Sequence, residues 1–98
     1  MILEIATLTV RPGQEADFQK AMGKARPLIE ASPGFGGMNL RRCLETPNRY
    51  LLSVSWNALE DHTVGFRQSE RYREWRELLH HFYDPFPVVE HFGEPIDI

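Results

Sequence analysis

Four histidines, one cysteine and a set of aromatic rings are the side chains of this 98-residue chain that could do chemistry. Histidine titrates near neutrality, so inside an apolar cavity it can take a proton from a weakly acidic ligand. His62 lies three residues after Leu59 and four before Phe66, a spacing that puts all three on one helical face. It is the candidate base. The plain alternative is a histidine at the edge of the core, bonded to a backbone carbonyl. His91 stands between Glu90 and Phe92 in an extended run and points away from Phe92 by strand alternation. Whether it meets a ligand or an interface depends on register. His80 and His81 close a helical stretch, where the partial negative charge of the helix end favours imidazolium. Glu77 precedes His81 by four residues, but two ligands without a third make a poor metal site, and no metal is expected.

Trp56, Phe66, Tyr72, Trp75 and Phe82 recur at helical or strand-end spacing. Such rings each bury about 150–250 Å² and usually build core. Trp56 and Phe82 read as core, and Phe66, Tyr72 and Trp75 as candidates for a pocket wall. Arg76 could meet a substrate anion, or could be a solvated partner for the charges of Glu70-Arg71-Tyr72-Arg73-Glu74. Arg41-Arg42 reads as a charge pair on an edge strand or a subunit contact. Gly34-Phe35-Gly36-Gly37 leaves a helix and enters a strand, the reverse of a phosphate-binding glycine loop, and is turn chemistry. Cys43 reads as a packed thiol.

These side chains need elements to hold them. Residues 2–10 are β-branched and apolar with Glu4 and two threonines interleaved, and stop at Arg11-Pro12-Gly13: a strand and a turn. Phe18, Ala21, Met22, Ala25, Leu28 and Ile29 then form one helical stripe. Pro27 lies within it and crowds the carbonyl of Gly23, which predicts a kinked or shortened last turn before Ser32-Pro33-Gly34. Residues 36–45 and 49–56 are extended runs joined by Thr46-Pro47-Asn48, a hairpin signature. Asn57-Ala58-Leu59-Glu60 has the form of a capping box opening a short helix. Ser69 can cap a second helix from Glu70 to about His81, with Tyr72, Trp75, Leu79 and Phe82 as its buried stripe. Asp84-Pro85 and Pro87 end it, and Val88 to Phe92 supply a fourth strand. The order is β-α-β-β-α-β, an α+β, ferredoxin-like arrangement on a four-stranded antiparallel sheet, with residues 1–98 as a single domain. The first and third strands are apolar on both parities, which implies a second buried face and packing between subunits.

The bulk numbers narrow the partners. The chain is 42% hydrophobic and 26% charged with a net charge of −3, so nothing draws phosphate backbones or anionic lipid, and neither nucleic acid nor membrane is expected. No apolar run approaches the roughly 20 residues needed to span a bilayer. MILEIATLTV lacks the basic start and small-residue cleavage site of a signal peptide, and one cysteine fits a reducing compartment. The expectation is a cytoplasmic protein. A chain this short buries only roughly 60–65% of its unfolded surface, which also favours a homodimer.

Several segments together resemble the antibiotic biosynthesis monooxygenase (ABM) family: Ser-Val-Ser-Trp56, Leu59-Glu60-Asp61-His62, Gly65-Phe66-Arg67-Gln68-Ser69, Trp75-Arg76-Glu77-Leu78-Leu79 and Val88-Val89-Glu90-His91-Phe92. The opening strand ending in Arg11-Pro12-Gly13-Gln14-Glu15 and the Ser32-Pro33-Gly34-Phe35 turn are similar to it too. The resemblance implies a dimeric α+β barrel with one pocket per subunit between sheet and helices. Its characterised members include monooxygenases that oxidise aromatic polyketides without metal or flavin, haem-degrading enzymes, and quinol- or signal-processing relatives. Where the haem-degrading branch carries Asn, Trp and His, this chain has Ala6, Phe66 and Arg76, so haem degradation is disfavoured.

Cofactor-free oxygenation needs an electron-rich substrate, such as a phenol or anthrone, that can lose a proton to give an enolate able to pass an electron to dioxygen. The protein must remove the proton, hold the anion and exclude water. The reading is a cofactor-independent monooxygenase of a small hydrophobic, enolisable aromatic or quinol. His62 is the catalytic candidate, and Phe66, Tyr72, Trp75, Arg76 and His91 are the substrate-binding candidates. Two alternatives share the fold: a dimeric ligand-binding or stress protein without turnover, and a lactone or enol isomerase using the same histidine without oxygen.

Overall fold

The computed structural model describes residues 1–98 and gives the order expected: β1 (Ile2–Thr9), α1 (Glu15–Glu30), β2 (Phe35–Arg42), β3 (Arg49–Trp56), a π-helical turn (Asp61–Phe66), α2 (Glu70–Leu79), a 3₁₀ turn (His80–Phe82) and β4 (Val89–Phe92). The strands form one antiparallel sheet in the order β2-β3-β1-β4, so β1 and β3 are central. The fold is α+β and ferredoxin-like.

Alternation decides what lies under the helices. In β1 the residues Glu4, Ala6 and Leu8 are buried, as is Val10 just beyond it, and in β3 Tyr50, Leu52, Val54 and Trp56 are. Antiparallel register sets these directly opposite one another, Glu4 against Val54, Ala6 against Leu52 and Leu8 against Tyr50, so one face of both strands is a continuous apolar floor. α1 covers it with Phe18, Met22, Ala25 and Ile29, spaced for one helical stripe. The Phe18 ring sits 5.0 Å from Tyr50, 5.8 Å from Phe82 and 5.9 Å from Tyr83. α1 is not shortened by Pro27: it runs through Glu30, and the Ala31 and Ser32 N–H groups close it on the carbonyls of Pro27 and Ile29. A proline this near the end removes one bond from a turn whose later carbonyls still find donors.

Several boundaries differ from the sequence reading, among them that of α2, which ends at Leu79 and gives way to the 3₁₀ turn before His81. β2 stops at Arg42, because Cys43 N–H already turns into the hairpin to meet Arg49 O at 2.8 Å. β2 is an edge strand, as its arginine pair suggested. β4 begins at Val89, and Val88 is exposed. Asn57 does not cap: its N–H bonds Gly34 O, and the Asp61 carboxylate accepts the Ala58 N–H at 3.0 Å instead of Glu60 acting in a capping box. No helix is long and apolar enough to cross a membrane.

Candidate active site

His62 is positioned by the turn between β3 and α2. Arg67 N–H reaches back five residues to His62 O at 3.1 Å, the signature of a π turn. The wider step turns His62 and Phe66 inward together and leaves Leu59 half out in solvent, so the predicted three-residue face is reduced to two. Ser69 then starts α2 as expected, its Oγ accepting Tyr72 N–H at 3.2 Å and donating to Phe66 O at 2.6 Å. One side chain thereby ties the π turn to the next helix.

The imidazole of His62 is 3% exposed. It stacks on Trp56, centroids 5.4 Å apart and planes 17° from parallel, with Phe66 at 6.5 Å. Its Nδ1 lies 2.8 Å from Nε2 of His91, a distance at which one nitrogen carries the proton and the other a lone pair. Its Nε2 lies 3.4 Å from Oε1 of Glu4, which is itself 5% exposed. The same Oε1 accepts the indole N–H of Trp56 at 2.9 Å. A line of polar groups therefore runs from β1 through the turn to β4: Glu4 and His62, both buried, and His91, half-buried. Register explains it, since Glu4 and His91 are direct partners across the β1–β4 ladder.

Burial, then the charge of Arg67, then His91 push the pKa of His62 down to about 3, so the ring is neutral at ordinary pH and its contact with Glu4 is not an ion pair. Burial raises the Glu4 carboxyl, against the opposing pull of the Trp56 bond and Arg67. His91 is lowered by burial and by Arg67.

Glu4 and His62 form the polar end of a half-open cavity of about 400 Å³, within the size range of small-molecule sites. Ala6, Leu8, Leu52 and Val89 of the sheet make its floor; Phe66 and Trp75 make one wall; Tyr72, His80, Tyr83 and Phe86 make the far rim. The walls are held edge to face, with Phe66 at 5.6 Å from Trp75 and 5.4 Å from Tyr72. No cluster of three or more His, Cys, Asp or Glu side chains is arranged to hold a metal ion, and Glu77 and His81 gain no third ligand.

A sequence profile of the antibiotic biosynthesis monooxygenase family matches residues 1–78. The chain belongs to that family. A Bacillus subtilis (strain 168) relative, the uncharacterized protein YczJ, is 48% identical over 94 residues, covering 96% of this chain and 99% of its own. A Bordetella bronchiseptica structure described as an antibiotic biosynthesis monooxygenase is 41% identical, with a TM-score of 0.91 and 97% of each chain covered. The Streptomyces coelicolor monooxygenase from ActVA-Orf6, solved with nanaomycin D, shares the fold at a TM-score of 0.79, 18% identity and coverage of 99% of this chain and 89% of its own.

Within this ABM fold, the structure brings together His62, Phe66, Tyr72 and Trp75 as the sequence reading grouped them. His91 is there too, behind His62 and not on the cavity wall. Arg76 is not. It follows Trp75 by one residue, which rotates it about 100° around α2 into solvent. The guanidinium that does line the cavity is Arg67, carried there by the π turn. Glu4 and His80 are among the further wall residues that were missed. Glu4 looked like one of the polar residues interleaved in β1, yet it has even numbering whereas Thr7 and Thr9 are odd, so alternation alone puts it on the apolar side. His80 lines the rim and is lowered by burial and by Arg76, not raised by the helix end as expected. Cys43 is half-buried, 3.7 Å from a Glu45 carboxylate oxygen.

Proposed function

We propose that this ABM-family chain is a cofactor-independent monooxygenase of small hydrophobic, enolisable aromatics or quinols. One observation carries the reading: an apolar cavity has a single deeply buried polar end, and that end is a carboxyl and an imidazole that share a contact. A greasy aromatic loses water on entering, and its acidic C–H or O–H meets the Glu4–His62 pair. The pair receives the proton, and the Arg67 guanidinium beside it favours the anion that results, the task first sought in Arg76. The electron-rich anion then passes an electron to dioxygen, while Phe66, Tyr72 and Trp75 hold the ring system. The S. coelicolor fold-mate solved with nanaomycin D supports a cavity for such ligands in this architecture.

Leu3, Ile5, Leu51 and Phe92 share the sheet face away from the helices and keep apolar atoms partly open. A second copy covers that face in this reading, giving a homodimer whose pockets lie on the outer sides. The lone thiol supports a reducing, cytoplasmic setting, and residues 1–98 act as one unit.

Oxygen uptake by metal- and flavin-free protein, screened with anthrones, quinols and catechols, tests the proposal. Uptake coupled to quinone formation is expected. Tight binding without turnover would identify a ligand-binding protein, and turnover under argon an isomerase; either result overturns the oxygenase reading.

A further inference from the structure

His62 has no nitrogen to offer a ligand: Nδ1 faces His91 at 2.8 Å and Nε2 faces Glu4 at 3.4 Å. Glu4 is different. Its Oε1 takes the Trp56 N–H, but Oε2 has no partner in the chain. Nor is Oε2 sealed away, since the buried unpartnered side-chain atoms are Ser32 Oγ and Arg71 Nε. Glu4 lines the cavity, so Oε2 opens into it. We propose that Glu4 is the catalytic residue that meets the substrate, with Oε2 as the atom that takes its proton, and that His62 and His91 are positioning residues behind it. The inference rests on the oxygenase reading and sharpens it. In this step the ligand's C–H or O–H bond breaks, its electron pair stays on the ligand as the enolate or phenolate, and the proton ends on Oε2.

Two physical points favour this over a purely structural carboxyl. Burying a carboxylate with one strong donor is costly, and a glutamine in the same place would satisfy Trp56 without that cost. Burial also lifts the Glu4 carboxyl, bringing its basicity toward that of a useful proton acceptor. Glu4 stands alone on its strand face among Ala6, Leu8 and Val10.

The test is hydrogen–deuterium exchange at the acidic methylene of anthrone, followed by NMR in D₂O under argon, where no oxygen chemistry intervenes. Wild-type protein should accelerate exchange, and Glu4→Gln should slow it by about 100-fold or more while still binding anthrone. Glu4→Asp, which withdraws the carboxyl by one methylene, should be intermediate, and Glu4→Ala should regain exchange when formate is added. Should Glu4→Gln fail to fold, the Asp variant and the formate rescue carry the decision. Wild-type rates in a folded Glu4→Gln, or no formate rescue of a folded Glu4→Ala, overturn the assignment to Glu4 and leave the oxygenase reading standing. Absence of exchange by the wild-type protein overturns that reading and this assignment together.

Discussion

His62 shows how a residue's place in the chain and its chemistry separate. The spacing from Phe66 made it inward-facing in the sequence, and it is. What the spacing could not carry is that both ring nitrogens find protein partners, one on β1 and one on β4, because those strands are distant in sequence and meet only through register. Glu4 was legible in principle from parity alone. Arg67 was not, since its entry to the cavity depends on a five-residue hydrogen-bond step that no composition rule announces. The depressed His62 has a consequence for stability. The unfolded ring takes a proton below the ordinary value of 6.5, whereas the folded ring resists until about 3. Its contribution is therefore complete above 6.5 and is lost as pH falls toward 3, by about 1.4 kcal/mol per pH unit. Glu4 runs the other way: its raised folded pKa favours the fold below the ordinary value of 4.5 and loses that advantage as pH rises through the raised value. His80 and His91, both lowered, act in the same sense as His62. Below 4.5 the Glu4 opposition is gone, so acid destabilisation should steepen there. Urea melts across that range should show His62→Phe with a shallower acid limb than wild type; equal limbs would mean that His62 is not held neutral.

At the scale of elements, the strands, both long helices and their order followed from periodicity and turn residues. The departures all lie at the ends of elements, of strands β2 and β4 as well as of helices. The capping box at Asn57 failed because Asp61, one residue beyond Glu60, reaches the Ala58 N–H and sets the turn half a step later. Gly34 is packed against that carboxylate, and a Cβ there would collide with Asp61 at a backbone φ of +85°. Gly34→Ala should cost about 1–3 kcal/mol from the backbone conformation alone and push the π turn off its seat. Thermal melts would register the first effect, and a change in Trp56 fluorescence, through its stack with His62, the second. A smaller effect belongs to Ser69. Removing its cap in Ser69→Ala should cost about 1 kcal/mol, with a further loss of cavity ligand affinity because Phe66 is tethered by the same hydroxyl. Unchanged melting in either variant would contradict this account of how the site is anchored.

At the scale of the whole molecule, Leu3, Ile5 and Leu51 among the odd-numbered side chains of β1 and β3 signalled a second face to be covered, and the sheet leaves Leu3 at 38%, Leu51 at 39% and Phe92 at 50% exposure. Light scattering should give the mass of a dimer, and Leu51→Asp, which places a charge in the middle of that face, should give a monomer that still binds cavity ligands, since the cavity lies on the other side of the sheet. A monomeric wild type would remove the dimer from the picture without touching the pocket. The pocket itself is a property of the assembled fold: β1 supplies the acid, the π turn the imidazole and the guanidinium that follows it, and α2 the aromatic wall, with the second imidazole, from β4, behind the first. No one segment of sequence carries it, which is why family resemblance identified the scaffold while the proton-handling line appeared only with the strands in register.

The most direct test of that picture is oxygen consumption with an anthrone by protein freed of metal and flavin, comparing wild type with Glu4→Gln. Steady uptake by the wild type that falls at least about 100-fold in a folded Glu4→Gln is the expected result, and uptake that survives the loss of the carboxylate would contradict the account.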